Sequence, residues 1–272
     1  MLGKITITCF AASYLVAFIL ELTRLLFRSG IRGAVMMVFA GAGFFAQTLF
    51  LVHRWFSERE FLISEFDWYL LAAWVLAAVY LYLVAYHPRN PIGLFTLPLV
   101  LVLVAVAQFW ASHERFPPQA GFSRYVATAH AIFLLLGTVA AAIGFMSGVM
   151  YLIQSWRLKH KKLPPRQGLK LPSLEWLQKT NGRAISISGI MLIGGFLTGV
   201  VLSRYRHGAV RWSDPVVWSS SALAGWMLAA AAFNLVYKPA RQGKKVAYLT
   251  LATFVLVVVT LTALLLDPHH GK

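Results

Sequence analysis

The sequence predicts an all-α, polytopic integral membrane protein, a bundle of eight transmembrane helices forming one domain over residues 1–272. Hydrophobic residues make up 59% of the chain and charged residues only 12%, a composition that does not fit a soluble fold of this length. The apolar residues form eight stretches of about 20 residues, the length that a helix needs to cross a bilayer core. Apart from Glu21, near the end of the first stretch, the charged residues lie in the gaps between these stretches or at the termini.

Each span is justified by an apolar run between two charged gaps. The first span follows one Lys and shows no small-residue cleavage pattern, so we expect it to stay in the mature chain. In the fifth and sixth spans, the pairs Gly144/Gly148 and Gly195/Gly199 have a spacing that allows close helix packing. In chain order, the spans lie near residues 5–23, 33–53, 68–86, 92–111, 125–153, 184–203, 216–237 and 246–266.

The distribution of Lys and Arg predicts the orientation, because these residues favour cytoplasmic loops. Of the 25 basic residues, 16 lie in the gaps after the odd-numbered spans, and the other gaps and both termini share the remainder. We therefore expect both termini on the outer side of a bacterial inner membrane, and a basic cytoplasmic loop at 154–183. This bias, with attraction to anionic lipid headgroups, explains the net charge of +16, so nucleic-acid binding is not expected.

In this orientation most histidines fall on the outer side. His130 differs from the rest because it lies inside the fifth span, roughly 7 to 8 Å below the rim. An ionisable residue at that depth needs a partner or a functional role. The others on the outer side are His53, His113, His207, His269 and His270. For His53, His113 and His207, an interfacial position is also a sufficient explanation.

The outer loop after the sixth span, residues 204–218, combines Arg residues, aromatic residues and one acid. Arg pairs with carboxylates and Trp covers flat rings, so the loop suits an anionic aromatic ligand. An interfacial aromatic belt explains the same composition, with Asp214 as N-cap and Pro215 as the first residue of the seventh helix. Both interpretations can hold together.

Five short sequences along the chain point to a known family: Ala129-His130-Ala131, Met150-Tyr151-Leu152-Ile153-Gln154, Leu171-Pro172-Ser173-Leu174-Glu175, Trp212-Ser213-Asp214-Pro215 and His269-His270-Gly271. Through them the chain resembles the haem-handling cytochrome c assembly proteins, especially their short eight-span members of the HemX and YpjD type. The resemblance implies that His130 and either His269 or His270 are axial ligands of haem iron. It also places Trp212, Asp214 and Trp218 in the remnant of a Trp-rich outer segment.

Two features depart from the family pattern. The Trp-rich segment is thin here, with Val216 and Val217 where larger members have Lys and Glu. Many short members also carry a histidine in the second span, where this chain has Gln47, a poor haem ligand. His53 follows nearly two turns later, and its part in a second haem site stays open.

The resemblance implies haem, the lipid bilayer and other cytochrome c assembly proteins as partners. Because Cys9 is the only cysteine, the chain has no CxxCH attachment site, and any haem would be held without thioether bonds. The resemblance implies a b-type haem held by two histidines. A transmembrane electron carrier would instead place paired histidines within its spans. Hydrolase and kinase activities are not predicted, because the HExxH, GxSxG, GxGxxG and phosphate-loop motifs are missing from the sequence.

The predicted function is therefore haem binding and presentation for cytochrome c assembly at the outer face of the membrane, by a carrier rather than an enzyme. The alternative is a HemX-like regulator of haem biosynthesis that acts through its cytoplasmic loops and holds no haem. The absorption spectrum of the purified protein separates the two.

Overall fold

The computed structural model is built from α-helices, and no strand occurs in the part of the chain that it describes. The described residues are 7–23, 30–58, 64–86, 92–111, 121–160, 171–209, 212, 214–236 and 244–265. The helices are α1 (Ile7–Thr23), α2 (Gly30–Glu58), α3 (Glu65–Tyr86), α4 (Gly93–Phe109), α5 (Phe122–Lys159), α6 (Leu174–His207), α7 (Pro215–Val236) and α8 (Lys244–Leu265). Each predicted span falls on one of these helices, so the predicted all-α membrane fold is confirmed.

Six of these helices, α2, α3 and α5 to α8, are long and apolar enough to cross a bilayer. The described parts of α1 and α4 have 17 residues each. Such helices rise about 25 Å, somewhat less than a hydrocarbon core of about 30 Å. Both are apolar throughout most of their length. The chain is a multi-pass membrane protein.

The described chain divides into two compact units, and the first contains α1 to α4. Within it, α2 and α4 each pack against both α1 and α3. A hydrogen-bonded chain crosses its interior: the Tyr14 hydroxyl donates to Gln47 Oε1 at 2.8 Å, and Gln47 Nε2 donates to the Leu70 carbonyl at 3.0 Å. The Gln47 amide, which is fully buried, therefore ties α1, α2 and α3 together.

The second unit contains α5 to α8. The most extensive helix contact in this unit is between α5 and α6, and α8 packs against α5, α6 and α7. All four helices contribute to one apolar cluster, which consists of Ala141, Leu192, Leu223, Met227 and Val257. Burial of these side chains stabilises the unit and holds α5 alongside α6. Whether the two units together form a single domain over 1–272 stays a prediction.

The predicted basic loop at 154–183 is helical at both ends. Helix α5 continues to Lys159, and α6 begins at Leu174. The start of α6 is fixed by Ser173, whose Oγ accepts a hydrogen bond from the Trp176 amide at 3.3 Å as an N-cap. From this cap α6 runs without a break to His207.

The predicted glycine pairs lie at close helix contacts. A Cβ atom on Gly148 would lie 2.8 Å from Leu251 Cδ1 of α8, and one on Gly195 would lie 2.6 Å from Leu134 Cδ2 of α5. Real Cβ atoms essentially never approach another heavy atom this closely. The prediction that these glycines allow close packing is therefore confirmed.

Candidate functional site

His130 lies on α5, and its half-buried side chain faces α6. The two helices are antiparallel here, because the Phe122 ring at the start of α5 lies 6.2 Å from the Tyr205 ring near the end of α6, measured between ring centres. His130 is about 12 Å along the axis of α5 from Phe122. The histidine therefore lies within α5, about two turns from the end of the helix pair.

The His130 ring is hydrogen-bonded to the backbone of α6. Its Nδ1 lies 2.7 Å from the carbonyl oxygen of Gly195. A carbonyl oxygen can only accept, so Nδ1 must carry the proton and donate it. In the neutral imidazole, the lone pair that can bind a metal is then on Nε2.

Gly199 of α6 lies directly against the His130 ring. A Cβ atom at this glycine would be 2.9 Å from Cε1 of His130 and 3.3 Å from Nδ1, but 3.8 Å from Nε2. The ring therefore rests on α6 through its Nδ1 and Cε1 edge. Sequence reasoning assigned Gly199 to helix packing alone; its contact with His130 was not predicted.

Trp212, just before α7, contacts Trp218, in the first turn of that helix. Their ring centres are 6.5 Å apart at an interplanar angle of 67°, an edge-to-face arrangement. Both are largely exposed, at 58% and 63% of their surface. The pair offers apolar ring surface in the same unit as His130, at the end of α7 that follows α6.

Asp214 caps α7. Its Oδ1 accepts a hydrogen bond from the Val216 amide at 2.7 Å, and its carbonyl oxygen accepts from the amides of Val217 and Trp218. Pro215 follows as the first helical residue. The expected N-cap role is confirmed, and the cap also fixes the backbone that carries Trp218.

The proposed second axial ligands, His269 and His270, lie outside the described residues, as does His113. For His207 the structure describes the backbone at the end of α6 but not the side chain. Among the residues that it does describe, no group of three or more His, Cys, Asp or Glu side chains is placed to hold a metal ion. The pairing of His130 with a C-terminal histidine stays a prediction.

The position expected to hold a histidine in the second span has a structural role in this chain. Gln47 is buried between Tyr14 and the Leu70 carbonyl, with both ends of its amide hydrogen-bonded. His53 lies on the same helix but is exposed. The Gln47 amide fits the interior of the first unit because it can accept from one helix and donate to another.

Sequence reasoning missed a polar cluster where α2 meets α3. The Asp67 carboxylate forms an ion pair with Arg54 and accepts hydrogen bonds from the amide and the hydroxyl of Ser64, at 3.2 and 2.9 Å. The Arg54 guanidinium also lies 4.9 Å from the centre of the Phe66 ring. The sequence Ser64-Glu65-Phe66-Asp67 is a capping-box signal that predicts this arrangement. Because its charges are paired with one another, the cluster stabilises the start of α3.

Comparison with known proteins gives one match. Residues 64–266, about three quarters of the chain, match the sequence model of a family described as cytochrome C assembly protein. The matched region contains His130, Gly199 and the segment from Trp212 to Trp218, and it ends before His269. The curated proteins and the solved structures give no match.

Proposed function

Because this chain belongs to the cytochrome c assembly protein family, we propose that it binds haem and presents it for cytochrome c assembly at the outer face of a bacterial inner membrane. His130 supplies one axial ligand of the iron, and His269 or His270 supplies the other. In this proposal the protein is a carrier that acts with other cytochrome c assembly proteins, and haem is held without a covalent bond.

The observation that carries the proposal is the hydrogen bond between His130 Nδ1 and the Gly195 carbonyl, at 2.7 Å. Histidines that bind metals almost always donate their second ring N–H to a carbonyl, a carboxylate or water, which fixes the tautomer and the ring orientation. His130 has this arrangement, with the ligating lone pair on Nε2. Its chemistry therefore fits haem iron, which takes neutral imidazole as an axial ligand.

The exposed tryptophan pair supports the same function. Trp212 and Trp218 present indole surface beside the cap at Asp214, and covering one face of a flat apolar ring is favourable by about 25 cal/mol per Å². Arg204 is exposed near the end of α6 and is our candidate to pair with a propionate-like carboxylate. Trp212, Trp218 and Arg204 thus supply ring contact and charge pairing, while His130 supplies the bond to iron.

Two imidazole ligands leave no open position on haem iron for oxygen chemistry. For this reason we assign the chain to haem storage and hand-over rather than to catalysis. Its own residues have three tasks in this assignment: to hold the His130 nitrogen, to cover the ring and to pair the carboxylates.

The test is the absorption spectrum of the full chain, purified in mild detergent from cells supplied with haem. We expect a Soret band with low-spin features. His130→Ala should remove most of the bound haem. The double change His269→Ala with His270→Ala should do the same; both are changed because either of these adjacent histidines can replace the other.

Trp212→Ala should keep the low-spin spectrum but weaken haem binding by about 1 to 3 kcal/mol, because it removes one ring contact and no ligand.

His160→Ala is the matched control, since His160 is an exposed histidine of the same unit at the opposite end of α5 from His130. It should leave the spectrum unchanged. A full and unshifted spectrum in both the His130 variant and the double variant would place the ligands elsewhere. A wild-type protein that takes up no haem would favour the alternative function, a HemX-like regulator of haem biosynthesis that acts through its cytoplasmic loops.

A further inference from the structure

We propose that Gly199 and the Gly195 carbonyl position His130 for haem ligation, by fixing where the ring lies and which ring nitrogen carries the proton. Both groups belong to α6, whereas His130 belongs to α5, so α6 is the element that orients the ligand. The inference rests on the proposed haem function for its purpose. The positioning itself is a property of the chain without haem and can be measured there.

The first step concerns space. A Cβ atom on residue 199 would lie 2.9 Å from His130 Cε1, whereas ordinary van der Waals contacts begin near 3.4 Å. An alanine there must therefore push the ring away by about half an ångström or more. Such a shift draws Nδ1 away from the Gly195 oxygen, because the same edge of the ring makes both contacts. Only a residue without a side chain lets the ring reach the carbonyl.

The second step concerns the proton. The Thr198 hydroxyl lies 2.8 Å from the Gly194 carbonyl and 2.9 Å from the Gly195 carbonyl, and 3.4 Å from His130 Nδ1. A hydroxyl has one proton, and here it is donated to the carbonyls of its own helix, so toward Nδ1 its oxygen can only accept. The Gly195 carbonyl and the Thr198 oxygen, which face Nδ1, are therefore both acceptors. They select the tautomer with the proton on Nδ1.

The third step shows that this role is specific to one glycine. Among the glycines that the structure describes, Gly199 is the one whose added Cβ would meet a histidine; Gly195 meets Leu134, and Gly194 meets the Phe133 ring at 3.3 Å. Gly137 of α5 is an equally tight position in the same helix pair, because its Cβ would lie 2.8 Å from Leu192 Cδ2. Gly137→Ala is therefore a matched control that overpacks α5 against α6 away from the ring.

The first experiment measures the tautomer in the full chain without haem. The protein is produced in cells that cannot make haem, with ¹⁵N-labelled histidine, and its ring nitrogens are observed by NMR. The His130 signals are assigned by their loss in His130→Gln. We expect a protonated Nδ1 and an unprotonated Nε2 in the wild type. Gly199→Ala should shift these signals toward a mixture of tautomers, and Gly137→Ala should leave them unchanged.

The second experiment titrates the same three proteins with haem and follows the Soret band. Loss of a group that orients a metal ligand costs about 10- to 100-fold in affinity, so we expect this loss for Gly199→Ala and a much smaller one for Gly137→Ala. If no protein binds haem, the proposed function fails while the NMR result still decides the positioning.

Three outcomes would overturn the positioning role. One is an unprotonated Nδ1 in the wild type, a result that does not depend on Gly199→Ala and holds even if that variant fails to fold. Another is a Gly199→Ala protein with wild-type ring signals and haem affinity. The last is an equal effect of Gly137→Ala, which would show that general overpacking of α5 and α6 is responsible.

Discussion

At the scale of the residue, Asp214 caps α7, and a single substitution tests whether it also orients a histidine. Its carboxylate accepts a hydrogen bond from the Val216 amide at 2.7 Å, and carboxylates also commonly accept the second ring proton of a metal-binding histidine. Asn keeps a side-chain oxygen that caps helices as well as Asp does. We therefore predict that Asp214→Asn leaves the thermal midpoint and the haem spectrum of the detergent-solubilised protein close to those of the wild type.

The companion change Asp214→Ala removes the capping oxygen and should cost about 1 kcal/mol of stability. The stability of both variants is measured by heating samples and determining, by size-exclusion chromatography, the fraction that stays folded at each temperature. If Asp214→Asn instead shifts the redox potential or releases haem at unchanged stability, the carboxylate orients a histidine, and the cap is its lesser role.

The residue-level comparison shows which signals a sequence carries. A partner or functional role for His130 was predicted from its position inside an apolar span, because an ionisable side chain is conspicuous there. Its hydrogen-bond partner was not predicted, since the Gly195 carbonyl belongs to the backbone and every residue has such a group. Gln47 was interpreted as a missing ligand, but its amide is a fully paired hydrogen-bonding group between helices. Which helices lie beside a polar residue cannot be read from the residue alone.

At the scale of the element, Gly148 decides how closely α5 and α8 approach. An added Cβ would lie 2.8 Å from Leu251 Cδ1, 2.9 Å from Thr250 Oγ1 and 3.3 Å from the Ala247 carbonyl oxygen. Rotation of the Leu251 side chain can relieve part of the clash, but the Ala247 carbonyl belongs to the backbone of α8 and must itself shift by a few tenths of an ångström. We predict that Gly148→Ala destabilises the protein by about 1 to 3 kcal/mol through overpacking, measured as a lower thermal midpoint in detergent.

Gly225→Ala is the control for this change, since nothing lies within 4 Å of the Cβ that it adds to α7. Alanine is favoured over glycine in a helix by roughly 1 kcal/mol, so this variant should be as stable as the wild type or more stable. Equal loss of stability in the two variants would show that the tight contact of α5 with α8 is not the cause.

The existence of the helices was predictable, and so was the start of α7 at the Asp214 cap, but the polar extensions of other helices were not. Apolar runs locate the spans because the bilayer demands a continuous apolar length. Outside the bilayer a helix does not need to be apolar, so a polar segment can extend it as far as its capping residues and helix propensity allow. Helix α6 shows this: the Ser173 cap starts it at Leu174, ahead of the predicted span at 184. The Lys179–Glu175 ion pair lies in this polar extension.

At the scale of the whole molecule, the split of basic residues predicts that both termini are outside. A fluorescent reporter that matures only in the cytoplasm, fused after Lys272, should therefore be dark. The same reporter fused after Lys162, in the predicted cytoplasmic segment, should be bright. A bright fusion at Lys272 would reverse the orientation and place His130 toward the cytoplasmic side.

The grouping of the helices into two units could not be predicted from the sequence. In a soluble protein an apolar face indicates the core, but in a bilayer the lipid-facing surface is equally apolar. Phe10 is fully buried in the first unit, whereas Phe45 of the same unit is 64% exposed. Residue type does not distinguish them, so hydropathy counts the helices without indicating which of them pack together.

The capping box at Ser64 has a consequence for how pieces of this protein can be exchanged or expressed. Family similarity begins at this residue, but the folding unit that contains it begins earlier, with α1 and α2. A fragment cut where similarity begins would keep Asp67 and lose its partner Arg54, and it would leave the Leu70 carbonyl without its donor, Gln47. Chimeras between relatives should therefore exchange α1 to α4 together, because the family match begins inside the compact unit that these four helices form.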